Sequence, residues 1–138
     1  KLVSCSSPQQ SCGVFEIINA YYLLMGLAIE NLAKGIIMVI HPEYLKSNAE
    51  LNKKKIRTHN VCGLLDNNDI CGFEEDKELL NALSTRVIWM SRYPVPLERK
   101  NFSWETHWMN PESIDNLYKR LYDRLDELSK RGDRRQKI

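Results

Sequence analysis

Apolar residues recur with a helical period over the first third of the chain, from Val14 to Val39. A spacing of three and four residues places such positions on one side of an α-helix, so we predict a long helix that begins near Cys12 and Gly13. Pro42 ends it, because the residue before a proline avoids the helical conformation. The apolar arc is wide, which indicates a central position in a bundle or a dimer contact in addition to the core. The arc consists of Val14, Ile17, Ile18, Tyr21, Leu24, Met25, Ala28, Leu32, Ile36 and Val39.

The polar positions of this helix are Glu16, Asn19, Glu30 and Lys34, and we expect them to face solvent. Glu30 and Lys34 stand four residues apart and are predicted to form a surface ion pair, worth about 0.3–0.5 kcal/mol. Residues 41–57 are polar and rich in lysine, which is typical of a connection with one short helical turn.

A short helix is predicted after this connection. Thr58 has the position of an N-cap, and Val61, Leu64 and Leu65 supply the apolar side of about two turns. The polar residues 66–69 end the helix.

A longer helix follows the run Glu74-Glu75-Asp76, whose acidic side chains suit the positive end of the helix dipole. Its predicted core positions are Leu79, Leu80, Leu83, Val87 and Met90. Tyr93 and Pro94 break the helix. The segment from there to Met109 is an extended loop rich in aromatic residues, and loops of this length are uncommon unless they are functional or packed by their own side chains.

Asn110 and Pro111 open the last helix, with Asn as the cap and Pro at the first helical position. We predict that this helix, which carries a single apolar stripe, ends before Gly132. No segment alternates with a period of two, so the predicted fold class is all-α, an up-and-down bundle of four main helices plus short helices. The predicted units are a flexible N-terminal arm (1–12), a single helical domain (13–130) and a basic C-terminal tail (131–138).

The composition agrees with a globular protein. Of the 138 residues, 43% are hydrophobic and 28% are charged, and a chain of this length buries a core without metals or disulfides. The longest apolar run, Tyr21 to Ile29, is interrupted by Gly26 and closed by Glu30, which falls short of the roughly 20 residues that a bilayer span requires. We therefore expect no membrane segment and a cytoplasmic location.

The four cysteines are Cys5, Cys12, Cys62 and Cys71. Structural metal sites usually pair ligands about two to four residues apart, and only His59 and Cys62 approach that spacing here. We predict no metal and no cofactor. With no apolar export signal at the start of the chain, reduced thiols are expected, and Cys62 is predicted to be a small buried thiol.

The net charge of +2 is too small for a chain that mainly wraps nucleic acid, but the basic residues are unevenly distributed. They cluster at residues 53–57 and again at residues 130–137. Such clusters either bind phosphates in a salt-dependent way or serve as a solvated connection and a solvated tail.

Three segments follow one another in a recognisable order: Ala28–Gly35 in the first helix, His59–Leu65 at the short helix, and Arg92–Pro94 at the end of the next. This order resembles that of the HEPN family of small helical bundles. The resemblance implies an HEPN-like bundle that forms a homodimer. It also implies a partner, which is a nucleotidyltransferase chain, a nucleotide or RNA, in a toxin–antitoxin or defence system.

HEPN ribonucleases carry an arginine a short distance before a histidine, where the arginine stabilises the charge at phosphorus and the imidazole moves a proton. Arg99 and His107 come nearest to that pattern and are the candidate catalytic residues. Seven residues separate them, one more than the family pattern allows. The alternative for His107 is a loop imidazole packed between Trp104 and Trp108.

The resemblance also implies a polar pocket for phosphate or nucleotide, and the candidate ligand-binding residues are Arg92, Tyr93, His59 and Arg57. The alternative roles are structural. In that case His59 makes a local hydrogen bond at the start of its helix, and Arg92 and Tyr93 fasten the loop to the bundle.

Three hypotheses of function follow. The first is a non-catalytic HEPN-like module that self-associates and binds a partner protein, a nucleotide or RNA. The second is a diverged, metal-independent endoribonuclease that uses Arg99 and His107. The third is a structural helical bundle with no ligand.

Overall fold

A computed structural model describes residues 9–46, 55–92 and 109–136 of the chain. These residues are mostly helical and contain no strand, which confirms the all-α class. The described part holds three long helices, so the predicted count of four main helices is not confirmed there. The elements are α1 (Gln9–Ile40), a 3-10 turn (Pro42–Leu45), α2 (Val61–Asp66), a second 3-10 turn (Glu74–Asp76), α3 (Lys77–Arg92) and α4 (Pro111–Gln136).

The centre of the bundle is α1, which packs against α2, α3 and α4. It begins at Gln9, earlier than predicted, and ends at Ile40, two residues before Pro42, as the proline rule requires. Its buried positions share one side of the helix and form the core with residues from the other three helices. On α1 they are Tyr22, Ile29, Ala33, Ile36 and Ile37.

The helix α4 runs parallel to α1. Near the start of α4, the Tyr21 hydroxyl donates to Asp115 Oδ1 at 2.9 Å. Fourteen residues further along α1, Gly35 lies against Leu125, so close that a Cβ at Gly35 would be 3.1 Å from the Leu125 side chain. Both helices therefore advance in the same direction, and their C-terminal ends lie at the same end of the bundle.

The helix α3 runs back along α1. A Cβ at Gly26 would lie 2.7 Å from Val87 Cγ2, which shows how closely the two backbones approach. Further toward the start of α1, the Arg86 guanidinium donates to Asn19 Oδ1 at 3.0 Å. The glycine permits this crossing because it has no Cβ to occupy the space between the helices.

The cap of α2 is Asn60 and not the predicted Thr58. The Asn60 side-chain oxygen accepts a hydrogen bond from the Gly63 amide at 3.0 Å, which satisfies one of the free N–H groups of the first turn. The Thr58 hydroxyl instead accepts from the Asn60 amide at 3.1 Å and fixes the bend that leads to the helix. The prediction was wrong by two residues because Thr and Asn are both good caps.

The start of α4 is as predicted, since the Asn110 side chain accepts from the Glu112 amide at 3.0 Å and Pro111 is the first helical residue. Its predicted end before Gly132 is wrong, because the helix continues to Gln136. Two ion pairs one turn apart support the last turns, Lys130 with Asp126 and Arg131 with Glu127. These pairs offset part of the roughly 1 kcal/mol that a glycine costs inside a helix.

Candidate functional site

The most unusual side chain in the core is Glu30, a carboxylate in the middle of α1 that is only 4% exposed. It lies on the buried side of the helix, between Ile29 and Ala33, which are fully buried. The predicted ion pair with Lys34 exists, but the prediction that it lies on the surface is wrong for Glu30. A buried carboxylate requires partners, because an unpaired charge in the interior is very costly.

Two basic groups provide these partners. Lys34 Nζ donates to Glu30 Oε1 at 2.6 Å. His59 Nδ1 lies 3.0 Å from Oε2 and 3.2 Å from Oε1 of the same carboxylate. A carboxylate only accepts hydrogen bonds, so Nδ1 is the donor in the second contact. We call these three residues the Glu30 cluster.

Secondary structure sets the geometry of the Glu30 cluster. Lys34 is one turn after Glu30 on the same helix, which brings its amine back over the carboxylate. His59 comes from the bend before α2, where the hydroxyl of Thr58 and the cap of Asn60 hold the backbone. The Val61 amide donates to Ser84 Oγ at 3.2 Å, so α3 also supports the bend.

The Glu30 cluster joins the start of α2 to the centre of α1 by charge-assisted hydrogen bonds, which are stronger than neutral ones. It also fixes the orientation of the His59 ring, as the buried carboxylate does in hydrolase triads. His59 and Lys34 are each partly exposed, whereas Glu30 is enclosed. The arrangement therefore places the oriented imidazole of His59 and the amine of Lys34 between the buried carboxylate of Glu30 and solvent.

His59 is thus the predicted site residue that the structure places in a defined polar environment. Arg57 lies two residues earlier and is exposed. Arg92 is the last residue of α3, about 12 Å along that helix from Ser84, which contacts the start of α2. Tyr93, together with the candidate catalytic residues Arg99 and His107, lies outside the described residues. The common pocket stays a prediction.

Sequence reasoning did not select Glu30 and Lys34 as site residues. The position of Glu30 along the helix indicates burial. Glu30 is four residues after Gly26 and three before Ala33, so it shares with them the side of α1 that faces α3. Its charge alone predicts a surface position for Glu30. A charged residue within a run of core positions is better treated as a candidate for a buried pair.

The described residues include a narrow crevice and hold no cluster of metal-binding side chains. Among them, no three His, Cys, Asp or Glu side chains stand close enough together to hold a metal. A solvent-open crevice lies between α2 and α3, lined in part by Cys62, Asp66 and Lys77. The space inside it, about 10 Å³, holds about one water molecule. Cys62 is half-buried with a free thiol, less enclosed than predicted.

Lys77 closes one side of this crevice. Its Nζ lies 3.2 Å from Asp66 Oδ2, and that hydrogen bond raises the pKa of the lysine. Both groups are exposed, so the pair contributes little to stability.

A second feature of α1 is apolar. Ile17, Leu24 and Asn31 are spaced by seven residues, which is close to two helical turns, and Ala20 lies between the first two. All four are exposed, with Ile17 at 71% and Leu24 at 65%. We call them the outer face of α1. In the described part of the chain, α3 and α4 cover other sides of the helix.

Residues Ile17–Ile40 of α1 are also long and apolar enough to cross a membrane, with a mean hydropathy of 1.8. The central helix of a bundle meets the same criterion. The buried positions of α1 pack against three other helices here.

Comparisons of the chain with family models, with curated proteins and with solved structures give no match. The HEPN resemblance therefore stays a hypothesis that rests on the three sequence segments.

Proposed function

We propose that the chain is a non-catalytic, HEPN-like helical module that self-associates through the outer face of α1 and binds a partner. The partner classes are a protein such as a nucleotidyltransferase chain, a nucleotide or RNA, in a toxin–antitoxin or defence setting. The observation that carries the proposal is the exposure of Ile17 and Leu24 on the central helix. Exposed apolar side chains that line up on one helix are typical of a helix–helix interface.

The spacing on the outer face favours a second copy of the chain as the occupant. Ile17, Leu24 and Asn31 repeat every seven residues, and Ala20 and Leu27 fall between them, which is the pattern of a short two-helix seam. A single asparagine in such a seam fixes the register of the pair at some cost in stability. A symmetric pair would bring the same face of two copies together.

The Glu30 cluster supports the non-catalytic part of the proposal. Its carboxylate is already occupied by Lys34 and His59, and the three groups join two helices of the bundle. Such a cluster stabilises the position of α2 and of the bend at Arg57–Asn60. In this proposal, the bend is a fixed recognition surface.

The test is the mass of the purified protein in detergent-free buffer, measured by light scattering after gel filtration over a hundredfold range of concentration. Wild type is expected to be a dimer, and Leu24→Glu a folded monomer, because a charge in the seam is left unpaired. The matched control is Leu45→Glu, since Leu45 is similarly exposed (63%) but lies in the turn after α1.

A monomeric wild type at all concentrations contradicts the proposal, and so does a protein that requires detergent to stay in solution. If Leu45→Glu dissociates the dimer and Leu24→Glu does not, the interface lies at the other end of α1. The same wild-type preparation is expected to leave a labelled RNA intact without metal. Cleavage that is lost in His107→Ala would replace this proposal with the endoribonuclease.

A further inference from the structure

The outer face of α1 lies directly beside the helix α4. Tyr21 and Gly35 of α1 contact α4. Each comes four residues after a residue of the outer face, Ile17 and Asn31 respectively. Four residues turn an α-helix by about 40° more than a full turn, so the two rows are neighbours on the surface of α1. A helix that packs on the outer face of α1 therefore also approaches α4.

The side of α4 that faces α1 carries two tyrosines. Asp115 and Leu125 make the contacts with α1, and Tyr118 and Tyr122 lie between them at steps of three and four residues. Residues at this spacing share one side of a helix. The rings of Tyr118 and Tyr122 are stacked, with their centres 6.4 Å apart and their planes 21° apart. We call this pair the tyrosine ridge of α4.

Tyr122 is at the open edge of the tyrosine ridge. Ile114, Leu117 and Leu121 occupy the core side of α4 and are fully buried, whereas Tyr122 is 53% exposed. Tyr118 is partly buried against the core. Since Tyr122 shares the side of α4 that faces α1 but lies outside the core, it stands next to the outer face of α1. The two helices thus present one continuous surface.

The outer face of α1 alone is small for a stable dimer. The helix has 32 residues, so a contact strip along its whole length measures roughly 48 Å by roughly 10 Å, or at most about 480 Å² per copy. Stable interfaces of standard size bury about 800 Å² per partner. The difference indicates that a second element of each copy contributes, and α4 is the element that lies beside the outer face.

The absence of charge on this surface favours a second copy as the occupant. The outer face and the tyrosine ridge carry no charged side chain, and Asp115, at one end of the ridge, is already bonded to Tyr21. A partner with charged groups here would leave them without a counter-charge, which is costly once water is excluded. A second copy brings an equally uncharged surface. Charged residues such as Lys119 and Asp126 stand at the rim, which is typical of interfaces.

We propose that the self-association surface combines the outer face of α1 with the tyrosine ridge of α4, so that Tyr122 of each copy packs against the outer face of α1 in the other copy. The inference rests on the proposed function and deepens it, because it adds a second helix and a specific contact to the interface. A tyrosine suits this position, since its ring supplies apolar contact area and its hydroxyl stays near water. In a symmetric pair, each copy contributes the same two helices.

The first test measures the Kd of the dimer by sedimentation equilibrium. Tyr122→Ala is expected to raise Kd at least about tenfold, as the loss of a large aromatic residue at an interface commonly does. The matched control is Ile88→Ala, since Ile88 is an exposed apolar residue of α3, which packs on a different side of α1. The control is expected to stay within about twofold of wild type. Circular dichroism checks that both variants are folded.

The second test locates the contact directly. Tyr122 is replaced by the photoreactive residue p-benzoylphenylalanine, which keeps an aromatic ring at this position, and a mixture of isotope-labelled and unlabelled copies is irradiated. We expect a covalent dimer whose crosslinked peptide comes from residues 17–38 of the other copy, on α1. The same photoreactive residue in place of Ile88 is expected to give no covalent dimer.

The outcomes separate this inference from the proposed function. If Leu24→Glu dissociates the dimer and Tyr122→Ala leaves Kd unchanged, the dimer stands and the contribution of α4 is overturned. A monomeric wild type refutes both. A crosslink from position 122 to residues 93–108 of the same chain also overturns the inference, because the chain would then cover its own surface. An equal loss of affinity in Ile88→Ala contradicts the assignment to α4.

Discussion

The two longest helices, α1 and α4, lie side by side in parallel, yet they differ in how well their hydrophobic pattern matches burial. On α4 the apolar stripe of Ile114, Leu117 and Leu121 is fully buried, and the charged residues from Glu112 to Asp133 are exposed. On α1 a charged residue, Glu30, is buried, while Ile17 and Leu24 are exposed. The comparison shows that a hydrophobic pattern defines which face is buried only when one side of the helix is apolar.

The two helices differ because α1 lies at the centre of the bundle and α4 lies at its edge. A helix at the edge of a bundle contacts neighbours on one side, so one apolar stripe suffices. A central helix has neighbours on several sides and needs apolar residues around most of its circumference. On α1, burial of any one residue then depends on which neighbour is present, as with Gly26 against α3 and Gly35 against α4.

A large difference is expected between the two i,i+4 pairs, Glu30 with Lys34 on α1 and Asp126 with Lys130 on α4, which both have 2.6 Å contacts. Glu30→Ala is expected to lower the free energy of unfolding by about 2 kcal/mol, less than for a fully enclosed pair because Lys34 and His59 are partly exposed. Asp126→Ala is expected to cost about 0.5 kcal/mol or less. Urea denaturation measures both, and equal losses would contradict the contrast between the helices.

Glycine substitutions are expected to have opposite signs on the two helices. Gly26→Ala would place a Cβ 2.7 Å from the buried Val87 and 3.2 Å from the Leu83 carbonyl oxygen, so we expect a loss of about 1–3 kcal/mol in the free energy of unfolding. Gly132→Ala meets nothing within 4 Å and is expected to gain about 0.5 kcal/mol, because alanine favours the helix. The check is the midpoint of urea denaturation for each variant, with an unchanged dependence of the free energy of unfolding on urea concentration. A stabilising Gly26→Ala would show that α1 and α3 pack less closely.

The smallest effect concerns the contact between the two helices at Tyr21 and Asp115. Burial and the hydrogen bond to Asp115 raise the pKa of Tyr21 from 10.0 to about 12. A pKa raised by folding gives a stabilisation that is fully present below pH 10 and is lost as the pH rises through about 12. The difference in Tm between wild type and Tyr21→Phe is therefore expected to shrink from pH 10 to pH 12.

Ultraviolet absorbance of the tyrosinate provides a direct measurement, with Asp115→Asn as the control. That variant is expected to lower the pKa of Tyr21 only in part, because burial is the larger cause. A difference in Tm that stays constant over this range would show that the hydroxyl of Tyr21 ionises equally in the folded and unfolded chain.

Much of the fold follows from local signals. The long first helix, its end before Pro42, the cap at Asn110 and the all-α class were predicted from periodicity and capping residues alone. Predictions failed where two local signals competed. Asn60 replaced Thr58 as the cap, and α4 continued through Gly132, where ion pairs along the helix offset part of the cost of one glycine.

The candidate sites were harder to predict because they join distant segments. His59 was selected from its position at the start of α2, but its partner Glu30 lies twenty-nine residues earlier and was assigned to the surface. No local signal reports such a pairing, since the histidine reaches the carboxylate only after α2 packs on α1. Arg92, Tyr93, Arg99 and His107 remain predictions of a site.

The sequence by itself determined the helices, because apolar spacing, prolines and caps act within a few residues of the chain. Only the tertiary structure decided which sides of α1 are covered and that Glu30 is buried between Lys34 and His59. These outcomes depend on the parallel course of α1 and α4 and the return of α3. The physical reason is that burial and charge pairing are set by neighbours in space, which local sequence does not specify.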